Sequence, residues 1–165
     1  MTIMLVLSFL LAVALPAAAI WKDREIPVSI SALAYVFKGG KRWTWTIWLW
    51  LTSCLMAAPL MDSLTESWQF MGFLTIICLI STGAMPVFIK EHKDVHDCFG
   101  IAAGFFSQVC VMLISPWWLF SWILFPIAFW LYYRQNKIYK FLECYAFIAE
   151  CLCALALYGS LFTVI

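Results

Sequence analysis

The chain has 165 residues, of which 65% are hydrophobic and only 12% are charged, and its formal net charge at pH 7 is +1. A soluble domain of this size cannot bury so much apolar surface, because a large part of a small protein stays at its boundary. The nearly balanced charge also argues against a nucleic-acid partner, which would need a concentrated basic face. The composition therefore predicts a single integral membrane domain over residues 1–165.

Six apolar runs are candidates for helices that cross the membrane, which takes roughly 20 apolar residues each. They lie at about 2–20, 44–61, 70–89, 97–114, 117–133 and 141–164. The sequence therefore predicts an all-α integral membrane protein, a bundle of six transmembrane helices. Ser115 and Pro116 separate the fourth and fifth runs with almost no loop. Since proline disfavours helix just before it, these two helices should form a tight antiparallel hairpin.

The first run ends in Pro16–Ala19, a stretch that is similar to the cleavage region of a signal peptide. No Lys or Arg precedes the run, however, so the basic segment that begins a signal peptide is missing. Cleavage would also leave the basic residues that follow on the outer side. We therefore predict an uncleaved first span.

The segment at about 25–37 is apolar but too short to span, and charged residues lie on both sides of it. Pro27 near its start suits the first turn of a helix, and Gly39-Gly40 would end it. We predict a short interfacial or re-entrant segment on the cytoplasmic side. Five nearby basic residues would then lie at the anionic lipid head groups: Lys22, Arg24, Lys38, Lys41 and Arg42.

All ten Lys and Arg residues fall in three of the gaps between the apolar runs, at 21–43, 90–97 and 134–140. The gaps at 62–68 and 115–116 contain none. Because basic residues are retained on the cytoplasmic side during insertion, this pattern predicts that both termini lie outside. A bacterial inner membrane is the expected location, because the chain is compact and has no eukaryotic sorting tail.

Seven cysteines are present, and none falls in a predicted outer loop: Cys54, Cys78, Cys98, Cys110, Cys144, Cys151 and Cys153. Oxidation would be easiest in an outer loop, so this placement argues against a disulfide framework. We interpret these cysteines as small apolar residues of the helix interior.

Glu150 is the sharpest signal for chemistry, because it lies about ten residues into the last run, roughly 15 Å along a helix from Lys140. An acid at that depth costs on the order of 2.5–3.5 kcal/mol on insertion scales. Other runs place polar groups at a comparable depth, which would form a polar layer around it: Thr52, Ser53, Ser81, Thr82, Ser107 and Gln108.

Two interpretations of Glu150 stay open. It could be a proton or cation site, or part of a polar pocket for a lipid head group. It could instead be a protonated carboxyl group whose hydrogen bond to a neighbouring helix holds the bundle together. Glu143 is one heptad earlier and near the inner interface, so we interpret it as an ordinary interfacial acid.

Two histidines precede the fourth apolar run, where His92 and His96 are four residues apart and would share a face of a helix. With Asp94 nearby they are metal-ligand candidates, but a zinc site needs a third protein ligand at least. The favoured interpretation is a solvated turn at a helix N-terminus, with no metal or other cofactor. His96 is a separate candidate, since it begins an apolar helix and would face the bundle.

Pro27–Ser31, and His96 followed by Gly100–Phe106, carry a resemblance to a known family. The chain resembles the six-helix FRAG/DRAM/Sfk family and its uncharacterised bacterial relatives over about residues 20–110. The resemblance implies a six-helix bundle that works on or near lipids, since characterised relatives act in lipid-anchor remodelling, lipid-kinase regulation and autophagy. It directs attention to Pro27, Ser29, Ser31 and His96.

Three functions fit these features. The first is a protein that binds or handles a membrane lipid or another amphiphile in a cytoplasm-facing polar pocket. Its ligand-binding or proton-handling candidates are Glu150, His96, Ser29, Ser31, Gln108 and Ser81. The second is a structural or adaptor subunit, whose partner is a larger membrane protein or another copy of the chain. The third, a metal-dependent intramembrane hydrolase, is ranked last because the whole chain has two histidines. An enzyme is therefore the less favoured reading, and no catalytic residue is assigned.

Overall fold

The computed structural model describes residues 1–36, 42–88 and 93–165. Within these ranges the chain is helical and has no strand. The α-helices are α1 Thr2–Asp23, α2 Leu33–Val36, α3 Arg42–Ser63, α4 Gln69–Phe88, α5 Lys93–Ile114, α6 Leu124–Arg134 and α7 Ile138–Val164. Two 3-10 helices, Glu66–Trp68 and Pro116–Ile123, precede α4 and α6. Lys38, Gly39, Gly40, Lys41, Lys90 and His92, which entered the sequence predictions, lie outside the described residues.

Five helical stretches are long and apolar enough to cross a bilayer: Thr2–Lys22, Arg42–Ser63, Glu66–Phe88, Asp94–Ile114 and Ile138–Val164. The shortest has 21 residues, which at about 1.5 Å per residue matches the hydrocarbon thickness of about 30 Å. A helix suits that environment because it pairs its own backbone N–H and C=O groups. The prediction of an all-α chain with apolar, membrane-length helices is confirmed.

The fifth predicted span differs from the others, because its first half is wound as the 3-10 helix Pro116–Ile123 and only 11 residues of α6 follow. Ile123 and Leu124 both keep helical backbone angles, so the two parts join without a break. At about 2.0 Å per residue the 3-10 part extends about 16 Å, and α6 adds about 16 Å more. Because a 3-10 helix rises more per residue than an α-helix, this short run is about as long as the hydrocarbon is thick.

The long helices form a closed ring. In the described residues, α1 packs on α3, α3 on α4, α4 on α5, α5 on α7, and α7 returns to α1. The 3-10 helix Pro116–Ile123 and α6 lie outside this ring, where they contact α7, and the 3-10 helix also contacts α5. Neither of them has a buried residue.

The two ends of the ring differ in charge. The first half of α1 packs on the last half of α7, where the Phe9 ring lies 5.4 Å from Tyr158 and 5.8 Å from Phe162. We call this the terminal end, and the only charged side chains of the α3–α4 turn there, Asp62 and Glu66, are acidic. The opposite, basic end carries Lys22, Arg24, Arg42, Arg134, Lys137 and Lys140.

The buried apolar side chains form two clusters, one near each end of the ring. Near the terminal end, Leu5, Val111 and Leu161 are fully buried in one cluster to which α1, α3, α4, α5 and α7 all contribute. Near the basic end, Leu33 of α2 packs with Trp45 and Leu49 of α3 in a second cluster. The short α2 is therefore buried against the ring and is not simply a surface turn.

Candidate functional site

Residues 24–36 leave α1 and return to the ring at the basic end; we call them the 24–36 segment. Arg24 ends α1 with φ 57°, in the left-handed region, and its N–H donates to the Ile20 carbonyl at 2.9 Å. This is a common way to terminate a helix, although glycine usually occupies the position. The left-handed residue turns the chain back toward the bundle.

A serine organises the turn that follows. The Ser29 hydroxyl accepts a hydrogen bond of 2.8 Å from the N–H of Ala32, as a helix-capping side chain does. The N–H of Leu33 donates to the Ile30 carbonyl at 3.1 Å, and that of Tyr35 to the Ala32 carbonyl at 3.0 Å. With these bonds made inside the turn, the N–H groups of Ile30 and Ser31 point away from it.

Glu150 of α7 accepts those free donors. Its Oε2 accepts a hydrogen bond from the N–H of Ile30, and its Oε1 accepts one of 2.8 Å from the Ser31 hydroxyl. The N–H of Ser31 lies 3.4 Å from both carboxylate oxygens. The two oxygens of one carboxyl group can accept several donors at once. One side chain from α7 thus holds the turn by its backbone.

Two further contacts seat the 24–36 segment. The carbonyl of Val28 accepts a 3.1 Å hydrogen bond from the N–H of Phe147, one turn before Glu150 on α7. The Tyr35 ring meets the His96 ring edge-on, with centroids 5.3 Å apart. The segment therefore contacts both Glu150 on α7 and His96 on α5.

His96 is fully buried, and its Nδ1 lies 3.0 Å from the Thr82 carbonyl of α4. Burial raises the pKa of the Tyr35 phenol beside it, the Asp97 carboxylate raises this pKa further, and Arg42 lowers it. Tyr35 therefore stays a neutral phenol beside the imidazole.

The structure brings Ser29, Ser31 and Glu150 together, since the two serine hydroxyls lie 3.0 Å apart. Tyr35 of the same segment connects them to His96, whose ring it meets edge-on. Ser81 is half-buried on α4, and within the described ranges no hydrogen bond joins it to Glu150.

Gln108 belongs to a different contact. Its Nε2 donates to the Cys153 carbonyl of α7 at 3.3 Å and to the Ser107 hydroxyl at 3.1 Å. Its Oε1 accepts a 2.9 Å hydrogen bond from the Trp122 indole. Gln108 thus ties α5, α7 and the 3-10 helix Pro116–Ile123 together, which is a structural role.

The other hydroxyls of the predicted polar layer turn back on their own helices. Thr52, Ser53 and Thr82 each donate to the carbonyl four residues earlier, at 2.7 to 2.8 Å. That bond satisfies a serine or threonine inside a helix without any partner from another helix. Among the residues that the structure describes, the hydrogen bonds that Glu150 accepts from outside α7 come from the 24–36 segment.

A second buried polar cluster was not foreseen from the sequence. The Ser8 hydroxyl donates to the Thr52 carbonyl at 2.8 Å and pairs with the Tyr158 hydroxyl at 2.6 Å. It joins α1, α3 and α7 near the terminal end. The signal available was a single serine inside the first apolar run, which by itself names no partner.

The metal-ligand candidates receive no support from the described residues, where no group of three or more His, Cys, Asp or Glu could hold a metal ion. Asp94 is exposed in the first turn of α5, whereas His96 two residues later is buried. His92 lies outside the residues that the structure describes.

The outer face of the 24–36 segment carries apolar side chains beside two exposed charged residues, the basic Arg24 and the acidic Glu25. Val28 is 61% exposed and Trp21, just before the segment, is 74% exposed. The Arg24 guanidinium lies over the Trp21 ring, 4.9 Å from its centroid. An aromatic ring beside a cation and an exposed aliphatic side chain is typical of a surface at the lipid head-group level.

Comparisons with protein-family models, with curated proteins and with solved structures found no match. The resemblance to the FRAG/DRAM/Sfk family therefore stays a prediction, and the function has to be argued from the geometry.

Proposed function

We propose that the chain is a polytopic protein of the bacterial inner membrane that crosses the bilayer six times, with both termini outside. The proposal is supported by the concentration of basic side chains at one end of the ring, since such residues stay on the cytoplasmic side. The path of Pro116–Arg134, about as long as the hydrocarbon is thick, supports the sixth crossing.

Thiol labelling in intact cells tests this orientation. A cysteine replacing Lys137 at the basic end should be inaccessible to a membrane-impermeant maleimide until the membrane is broken. A cysteine replacing Asp62 at the terminal end should be labelled at once, and a variant with neither change corrects for native thiols. Labelling of the Lys137→Cys variant in intact cells would reverse the topology and place the 24–36 segment outside.

We further propose that the protein binds anionic lipid at its basic end, with the 24–36 segment as the contact surface. One observation carries this proposal. The segment is held by its inner side to Glu150, while its outer side presents exposed apolar side chains and Arg24 stacked over Trp21, with the acidic Glu25 next to it. A fixed surface of that kind fits the boundary between acyl chains and phosphate head groups.

Native mass spectrometry of the protein from mixed phosphatidylglycerol and phosphatidylcholine tests the lipid contact. We expect Arg24→Gln to lower retained phosphatidylglycerol about fivefold, because one basic residue at an anionic surface contributes about 1 kcal/mol. The chain offers a matched control in Arg134→Gln, because Arg134 also lies over a tryptophan, 5.5 Å from the Trp130 ring centroid. That variant should keep most of its phosphatidylglycerol.

Equal losses in the two variants would mean that lipid responds only to the charge of the whole basic end. Such a result would favour the second candidate, an adaptor subunit of a larger membrane complex. Its supporting observation is the 3-10 helix Pro116–Ile123 outside the ring, where Trp117 is 76% and Phe120 is 62% exposed. An exposed aromatic face of this kind is available to a membrane partner as well as to lipid.

A further inference from the structure

The 24–36 segment is joined to the bundle in two ways, by the backbone that follows α1 and by side-chain and backbone contacts within the ring. On one side it leaves α1 through the single left-handed residue Arg24. Within the ring it is held by polar contacts to one stretch of α7: the carboxylate of Glu150 and the N–H of Phe147. Its apolar contacts come from the buried Leu33, with Ile30 and Tyr35 packed beside it against α3.

The carboxylate does more than add one contact. It is the acceptor for the N–H of Ile30 and for the hydroxyl of Ser31, and it lies near the N–H of Ser31. If the Glu150 oxygens were withdrawn, these part-buried donors would lack a protein acceptor, which is costly. The donors would regain partners in water only if the whole turn moved out, because the bonds from Leu33 and Tyr35 keep it a unit.

We propose that the 24–36 segment is a hinged cover on the basic end of the ring, with Arg24 as its hinge and Glu150 as its latch. Closed, it covers the Glu150 carboxylate and the His96 ring. When the hydrogen bonds to Glu150 break, the segment opens as one unit and exposes both side chains at that end. Such a device requires a locally cooperative opening that leaves the rest of the bundle intact.

Amide hydrogen exchange of the full chain in nanodiscs, resolved to single residues, tests the cover. In the Glu150→Ala variant the amides of Ile30, Ser31, Leu33 and Tyr35 should all exchange faster by one common factor of about tenfold, because they share one opening. Leu33 and Tyr35 are the informative pair, since their N–H groups bond within the segment and not to Glu150. Glu143→Ala, an exposed acid on the same helix, should leave all four at the wild-type rate.

Acceleration confined to Ile30 and Ser31 would overturn the proposal, because it would show that Glu150 only bonds those two groups. Unchanged exchange at all four would overturn it as well. The amide of Val111, in the apolar cluster near the terminal end, reports whether the bundle itself stays folded. If Val111 also accelerates in Glu150→Ala, Glu150→Gln decides, since it keeps one acceptor oxygen and should give the common factor at a smaller size.

The hinged cover and the lipid contact are tested separately. Exchange reads the opening of the 24–36 segment with no added phosphatidylglycerol, whereas mass spectrometry reads lipid retention with Glu150 unchanged. If Arg24→Gln retained as much phosphatidylglycerol as the wild type, the lipid proposal would fail and the hinged cover would be unaffected. If exchange were unchanged in Glu150→Ala, the hinged cover would fail and the lipid proposal would be unaffected.

Discussion

Gly159→Ala should be among the most damaging single-methyl changes in this chain, with a loss of about 1–3 kcal/mol in the free energy of unfolding. A Cβ atom at residue 159 would lie 2.3 Å from Cε3 and 2.4 Å from Cζ3 of the Trp118 ring. The ring is rigid and its indole N–H donates to the Thr163 hydroxyl at 2.8 Å, so it cannot give way alone. The 3-10 helix that carries Trp118 must move off α7.

Stability can be measured by detergent titration in bicelles, with far-ultraviolet circular dichroism as the readout of unfolding. Gly104→Ala is the matched control, because a Cβ there would meet only the Cys153 sulfur at an ordinary 3.7 Å. That variant should be neutral or more stable by up to about 1 kcal/mol, as alanine favours helix. In a Trp118→Ala background the cost of Gly159→Ala should largely disappear; a cost that persists would place the clash elsewhere.

Glu150→Leu is expected to lower the free energy of unfolding by on the order of 2 kcal/mol, since it leaves part-buried donors without an acceptor. Leucine also makes the span more apolar and favours its insertion. This gain in insertion free energy largely cancels, because the helix stays inserted in both the folded and the unfolded state. The loss comes from the N–H of Ile30 and the hydroxyl of Ser31, which Glu150 accepts in the folded protein. Opening of the 24–36 segment limits the cost by returning those donors to water.

The same titration with Glu143→Leu provides the comparison. Glu143 lies on α7 one heptad before Glu150 but is exposed, and a change at such a position alters stability by about 0.5 kcal/mol or less. Similar losses in the two variants would show that the negative charge of α7, and not the bonds to the 24–36 segment, determines the effect.

The helical class and the position of the long helices could be read from the sequence. Runs of apolar residues near membrane length leave the backbone no alternative to a helix, because nothing in hydrocarbon can pair its polar groups. The largest shift among the five long helices is small: α5 begins at Lys93 where the apolar pattern suggested residue 97. The polar first turn of that helix has no apolar signal, which is why the pattern missed it.

The need of Glu150 for a polar partner could also be predicted, because an acid deep in an apolar run is costly unless something donates to it. Ser29 and Ser31 were indicated only by the family resemblance. The partner could not be predicted. Polar residues of the other spans stood at the same depth, but Thr52 and Thr82 satisfy themselves on their own helices. Whether a hydroxyl bonds within its helix or across to another depends on rotamers and on helix spacing, which sequence depth does not specify.

The sequence by itself determined which segments are helical and which end of the bundle is basic, because hydropathy and charge act on each residue wherever its neighbours lie. Only the tertiary structure decided that the 24–36 segment is the partner of Glu150, about 120 residues away along the chain. It also decided that the Trp118 ring packs against Gly159. Both depend on which faces meet when the ring closes, and a pattern of apolar residues that is nearly continuous around each helix leaves that choice to packing.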